Sequence, residues 1–151
     1  MSKAIILDSG VLGMLTNPKT SSDDCEKCKI WFRSLRSSGY KMMLPEIADY
    51  EVRRELIRAG KSAGIIRLNE FKNFAIYLPI TTEVMLLAAE LWAEARRLGR
   101  PTADPKALDG DVILAAQARL VANVGNEVVV ATTNVRHLSL FVDAREWQLI
   151  K

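Results

Sequence analysis

The feature that most constrains this chain is a short run of apolar residues, Ala4-Ile5-Ile6-Leu7, that stops at an aspartate, Asp8. A strand with one wet face alternates apolar and polar residues. A strand that is apolar throughout is buried on both faces, as in parallel sheets covered by helices. A second such run, β-branched, spans residues 127–132, and weaker ones span 40–44 and 75–80. Segments with helical spacing separate these runs, and strands alternating with helices imply a parallel sheet. The expected architecture is therefore α/β, a three-layer α/β/α sandwich around a central, mostly parallel sheet.

The helical segments carry start and stop signals. Residues 9–16 form a short helix halted by Thr16-Asn17-Pro18. Residues 22–37 have Ser or Asp for an N-cap and Gly39 as a stop. Pro45 opens a helix in its favoured first turn and Gly60 ends it. Another helix covers 62–74. Thr81 or Thr82 caps a periodic helix with Val84, Leu87, Ala88, Leu91, Trp92, Ala95 and Leu98 on one face, stopped by Gly99. Residues 100–110, with two prolines, read as a loop. Asp109 or Asp111 then starts a helix that runs to Val121. Gly125-Asn126 turns the chain into the strand at 127–132, and a last strand is expected around 147–150.

At 151 residues, with 49% hydrophobic and 26% charged, the chain matches one globular domain spanning 1–151. That length buries roughly 70% of the unfolded surface, enough for a core without staples. The net charge of +3 is compatible with a polyanionic partner without demonstrating one. No apolar run is long enough for a secretory leader or a membrane span. Two cysteines, Cys25 and Cys28, exclude a disulfide-rich fold, so a cytoplasmic location is expected.

Ligands of open parallel sheets bind beyond the carboxyl ends of the strands. Asp8 falls there, as does Asn134, just after the 127–132 strand. Asp109 and Asp111 lie at the start of the helix preceding that strand, and Glu51 and Glu55 share a face of the Pro45 helix. Each acid has a plain alternative. Asp8 can simply end a strand, Asp109 and Asp111 can cap a helix, and Glu51 and Glu55 can pair with Arg54 and Arg58. Together they place three or four carboxylates at one end of one sheet, where they raise one another's pKa unless cations neutralise them. Oxygen-only clusters suit Mg²⁺ or Mn²⁺.

Four segments, in this order, resemble the PIN-domain family, and more narrowly its VapC-like toxin ribonucleases or their close relatives. They are Ile6-Leu7-Asp8-Ser9-Gly10-Val11-Leu12, Leu44-Pro45-Glu46-Ile47-Ala48-Asp49-Tyr50-Glu51-Val52, Leu108-Asp109-Gly110-Asp111-Val112-Ile113-Leu114-Ala115-Ala116-Gln117-Ala118, and Val130-Ala131-Thr132-Thr133-Asn134-Val135-Arg136-His137-Leu138. The resemblance implies a metal-dependent endoribonuclease, with Asp8, Glu51, Asp111 and Asn134 as catalytic residues. It implies one or two Mg²⁺ or Mn²⁺ ions on Asp8, Glu51 and Asp111. The family's last acidic position is Asn134 here, and Asp109 is the candidate for the missing charge. Ser9, Thr132 and Thr133 are expected in support. The basic run Arg53, Arg54, Arg58 and Lys61 is the expected RNA contact, with Arg96, Arg97 and Arg100 a second cluster. The resemblance also implies an antitoxin partner, reaching the acids with a basic side chain, and a homodimer.

Other features carry less. Cys25 and Cys28 lack two further zinc ligands and do not follow a strand, so a half-exposed helix position is expected. His137 reads as structural, and Met42, Met43 and Met85 as core fillers. Gly10 stands where a dehalogenase-type phosphatase has its second Asp, and there is no G-x-G-x-x-G after the first strand. The remaining alternatives are a PIN-fold RNA- or protein-binding module with little activity, signalled by Asn134, and a nuclease that processes RNA without being a toxin.

Overall fold

The computed structural model describes residues 2–19, 22–99 and 105–151, with the side chains of all of these except 105–108. Five strands, β1 (Lys3–Leu7), β2 (Lys41–Pro45), β3 (Ile76–Leu78), β4 (Glu127–Thr132) and β5 (Ala144–Glu146), form one sheet in the order β3-β2-β1-β4-β5. Every pairing is parallel. Parallel neighbours need long crossovers. These carry α1 (Ser9–Thr16), α2 (Asp23–Ser37), α3 (Glu46–Arg58), α4 (Ser62–Phe71), α5 (Thr82–Arg97), α6 (Pro105–Asn123) and α7 (Val135–Leu138). The three-layer α/β/α sandwich expected from the apolar strands is the observed PIN-like fold.

The pleat of β1 sorts the core into two layers. Ile5 and Leu7 pack with Val11 and Leu12 of α1, Phe32 of α2 and Leu68 of α4. Ala4 and Ile6 pack on the other face with Leu114 and Ala118 of α6 and Leu138 of α7. A third cluster joins Val84, Ala88 and Leu91 of α5 to Val112, Ala115 and Ala116 of α6. Ile5, Ile6 and Leu7 have no exposed surface at all. Burial of that kind contributes about 1.5–3 kcal/mol per large side chain.

From β1 the chain moves to β2 and β3 on one side, then returns to β4 and β5 on the other. The strand order therefore reverses between β1 and β4, and a crevice opens at their carboxyl ends. That crevice positions the candidate site.

Several boundaries differ from the sequence reading. Pro45 ends β2, pairing with Leu78, and occupies the N-cap position of α3 instead of its first turn. Helix α4 stops at Phe71, short of residue 74. Residues 105–110 are helical, because Pro105 sits where a missing N–H costs nothing. The expected loop at 100–104, and Arg100 with it, lies outside the described residues. The last strand is Ala144–Glu146, not 147–150. Trp147–Leu149 instead forms a 3₁₀ turn that swings the Trp147 ring onto Trp31, with centroids 5.6 Å apart. Trp31 Nε1 then donates to the Ile150 carbonyl at 3.0 Å.

Other burial expectations also shift. Trp92 and Leu98 of the α5 stripe are exposed, and so is Met85, expected as a core filler, whereas Met42 and Met43 are core residues. Cys25 and Cys28 are both buried and unbridged instead of half-exposed, and burial pushes Cys28 up to about 12.

Candidate active site

Strands β1 and β4 run in register with Leu7 beside Ala131, so Asp8 and Thr132 emerge together. The Asp8 N–H still donates to the Ala131 carbonyl, at 3.0 Å. Asp8 caps α1, its Oδ1 accepting from the Ser9 N–H at 2.8 Å. Its Oδ2 accepts from Thr132 Oγ1 at 2.7 Å. The same hydroxyl oxygen accepts from the Asn134 N–H at 2.8 Å. Thr132 is wholly buried, so its proton and its lone pair are both committed. Asp8 is held as an acceptor, with lone pairs left over on both oxygens.

Glu51 comes from the second turn of α3, which begins directly after β2 at the same sheet edge. Its side chain is about a quarter exposed (28%) and lies 3.9 Å from Arg54 Nη2. On its other side is Gly110 of α6, where an added Cβ would sit 3.0 Å from Glu51 Oε2. The carboxylate lies against the α6 backbone only because residue 110 has no side chain. Asp111 follows immediately. Its Oδ2 is buried and makes no hydrogen bond among the described residues.

Electrostatics tie these three acids together. Burial first, then the Asp8 charge, push Asp111 up to about 6. Burial and the charges of Asp8 and Asp111 raise Glu51, against the opposing pull of Arg54. Among the described residues no three His, Cys, Asp or Glu side chains already converge tightly enough to ligate one ion. The Asp8 charge reaches both other acids, and one buried oxygen has no partner among the described residues.

The other expected site residues fall less centrally. Asp109 is about 200° round the helix from Asp111. It is exposed, beside Met85, Trp92 and Val112 in a hollow between α5 and α6, away from the acids. Asn134 is exposed, and its Nδ2 lies 2.8 Å from His137 Nδ1. Thr133 is exposed, with its Oγ1 2.7 Å from where a Cβ on Gly10 would stand.

Much of the basic run is used within the protein. Arg53 donates to the buried Asp49 at 2.8 Å and to Asn69 Oδ1 at 2.8 Å, while Arg58 pairs with Glu55. Arg54 lies 5.0 Å above the Tyr50 ring. Arg54 and Lys61 line a groove of about 900 Å³ that opens at Ser9, Gly10 and Glu51.

Sequence reasoning missed Gly110, Gly10 and Asp49. A glycine inside a helix costs about 1 kcal/mol and signals a close approach, but that signal needs 105–110 to be read as helix. Asp49 and Arg53 stand at (i, i+4) spacing, a signal passed over because Arg53 reads as an RNA contact.

No protein-family model matches the sequence, and no curated protein matches it. Similarity appears in three dimensions. A chain of VapBC2 from Rickettsia felis, solved bound to a promoter DNA fragment, superposes with a TM-score of 0.70 at 14% identity, covering 95% of this chain and 98% of that one. VapBC-1 from nontypeable Haemophilus influenzae gives 0.66 at 15% identity, covering 96% and 98%. DNA-bound VapBC from Salmonella typhimurium gives 0.61 at 20% identity, covering 97% and 99%. The four motifs of the sequence thus lie on a VapC-like PIN-domain fold.

Proposed function

We propose that this chain is a metal-dependent endoribonuclease that hydrolyses RNA phosphodiester bonds, acting in the cytoplasm as the toxin of a type II toxin–antitoxin pair. One observation carries the reading. Asp8, Glu51 and Asp111 come from three distant segments, the Asp8 charge raises both of the others at the point where the strand order reverses, and the buried Asp111 Oδ2 has no partner among the described residues. Structural groups are normally satisfied internally, whereas clustered acids with raised pKa mark sites built for a ligand.

A hard divalent cation fits this oxygen-only donor set and would offset the repulsion. Asp8, Glu51 and Asp111 would hold one or two Mg²⁺ or Mn²⁺ ions. Ions held by these residues would supply Lewis-acid polarisation of the phosphodiester and would lower the pKa of an attacking water. The protein's own groups prepare the site. Thr132 fixes the rotamer of Asp8, and Gly110 lets Glu51 reach α6. Ser9 and Thr133 present hydroxyls for a phosphate oxygen, while Arg54 and Lys61 attract the RNA backbone. Similarity in fold to three VapBC structures supports an antitoxin partner, and a homodimer belongs to the same proposal.

Asn134 favours a second reading, a binding module with a disabled site. It brings no charge, and its amide contacts His137. One assay separates the two. EDTA-stripped protein is incubated with an end-labelled RNA pool, with and without Mn²⁺ or Mg²⁺, beside Asp8→Asn. The nuclease gives metal-dependent cleavage that the variant lacks; no cleavage under any condition favours the module.

A further inference from the structure

The groove beside the acids has a neighbour along α4. On its far side the chain opens a second cleft of about 290 Å³ between α2 and α4, bordered by Lys29, Arg33, Arg36, Arg67 and Phe74. The two lie along one helix. Ala63 and Gly64 of α4 line the first, and Arg67 and Phe71, a turn or two along the same helix face, line the second. The Asn17 carbonyl in the first groove accepts from Lys29 Nζ in the second, at 2.8 Å. Helix α4 alone covers about 15 Å of this path.

The charge of the cleft is one-sided. Glu70 is the single acid at its border, against four cations. Arg33, Arg36 and Arg67 are exposed and join no ion pair among the described residues, unlike Arg53 and Arg58. At the far end Phe74 is half-exposed (51%), with the Arg36 guanidinium 5.7 Å from its ring centroid. A basic channel that ends on an exposed aromatic face matches the chemistry of single-stranded nucleic acid, whose phosphates pair with the cations while a base stacks.

We propose that this path holds single-stranded RNA leading away from the acid cluster, with Arg33, Arg36 and Arg67 on phosphates and Phe74 stacking a base. It rests on the ribonuclease reading for the scissile end. The test is fluorescence anisotropy of a fluorescein-labelled oligouridylate with the full chain in EDTA, titrated with salt. The triple variant Arg33→Ala/Arg36→Ala/Arg67→Ala weakens binding about tenfold and makes the log–log salt slope shallower by about 2, at roughly 0.7 per phosphate contact on a single strand. Phe74→Ala weakens binding about fivefold. All four side chains are exposed, so thermal melts should match the wild type and confirm folding.

Unchanged affinity and slope in both variants overturn the proposal, as does equal binding of an RNA duplex. Polyglutamate competing as well as oligouridylate also overturns it, in favour of a surface for an acidic protein. Cleavage run in parallel separates the two readings. Metal-dependent cleavage with cleft-independent binding rejects only the track, while cleft-dependent binding without any cleavage rejects only the nuclease.

Discussion

Thr132 Oγ1 donates to Asp8 Oδ2 at 2.7 Å, joining residues 124 positions apart at the carboxyl ends of adjacent strands. Because Thr132 is wholly buried and also accepts from the Asn134 N–H, Thr132→Val removes both bonds and leaves that N–H without its acceptor. The expected cost is about 1–3 kcal/mol in urea denaturation, with a fall in metal-dependent cleavage. Thr132→Ser retains the hydroxyl and recovers most of the activity. Equal losses in both variants would assign the effect to packing.

Gly110 offers a variant that separates activity from stability. Alanine in a helix interior is favoured over glycine by about 1 kcal/mol, but its Cβ would stand 3.0 Å from Glu51 Oε2. Gly110→Ala should melt at or above the wild-type temperature while cleavage falls about tenfold or more. Wild-type kinetics would show that Glu51 can move aside without cost.

The raised pKa values fix a direction for pH dependence. With Asp111 near 6 in the folded protein against a usual value of 3.8, the native state binds more protons than the unfolded state between those limits. Stability from this group is therefore greatest below about pH 4 and falls as pH rises to about 6, with Glu51 adding in the same direction. Asp111→Asn should flatten that part of the metal-free stability profile. Mn²⁺ should raise the melting temperature more at pH 7.5 than at pH 5, since protons compete for the same oxygens. A metal effect independent of pH would contradict this.

Asp49 is an anchor on α3. It is buried on α3, 2.8 Å from Arg53 Nε and 3.6 Å from Lys72 Nζ, and so ties α3 to the end of α4. Asp49→Ala leaves both cations without their carboxylate and should cost about 2 kcal/mol by chemical denaturation. A loss below a few tenths would place Asp49 among ordinary surface pairs.

The layered fold was legible because Ala4-Ile5-Ile6-Leu7 and Val128-Val129-Val130 leave no wet face on their strands. Asp8, Glu51 and Asp111 were legible through their places relative to strand ends, and the structure brings them together. Asp109 was not. Reading 100–110 as loop hid the helical phase that turns Asp109 towards α5 and Asp111 towards Asp8. Arg53 and Arg58 looked like RNA contacts because helical spacing does not tell an arginine already paired from one facing solvent. Trp147 was misread for a related reason: its run is apolar like a strand, but the Trp31 ring draws it off the sheet edge.

The central claim is that Asp8, Glu51 and Asp111 jointly bind a divalent cation. Isothermal titration of Mn²⁺ into EDTA-stripped protein at pH 7.5, with Asp111→Asn and Glu51→Gln alongside, tests it most directly. Saturable binding to the wild type, weakened at least tenfold in each variant while both keep their thermal melts, is the expected result. No Mn²⁺ uptake, or uptake indifferent to both substitutions, would contradict the claim.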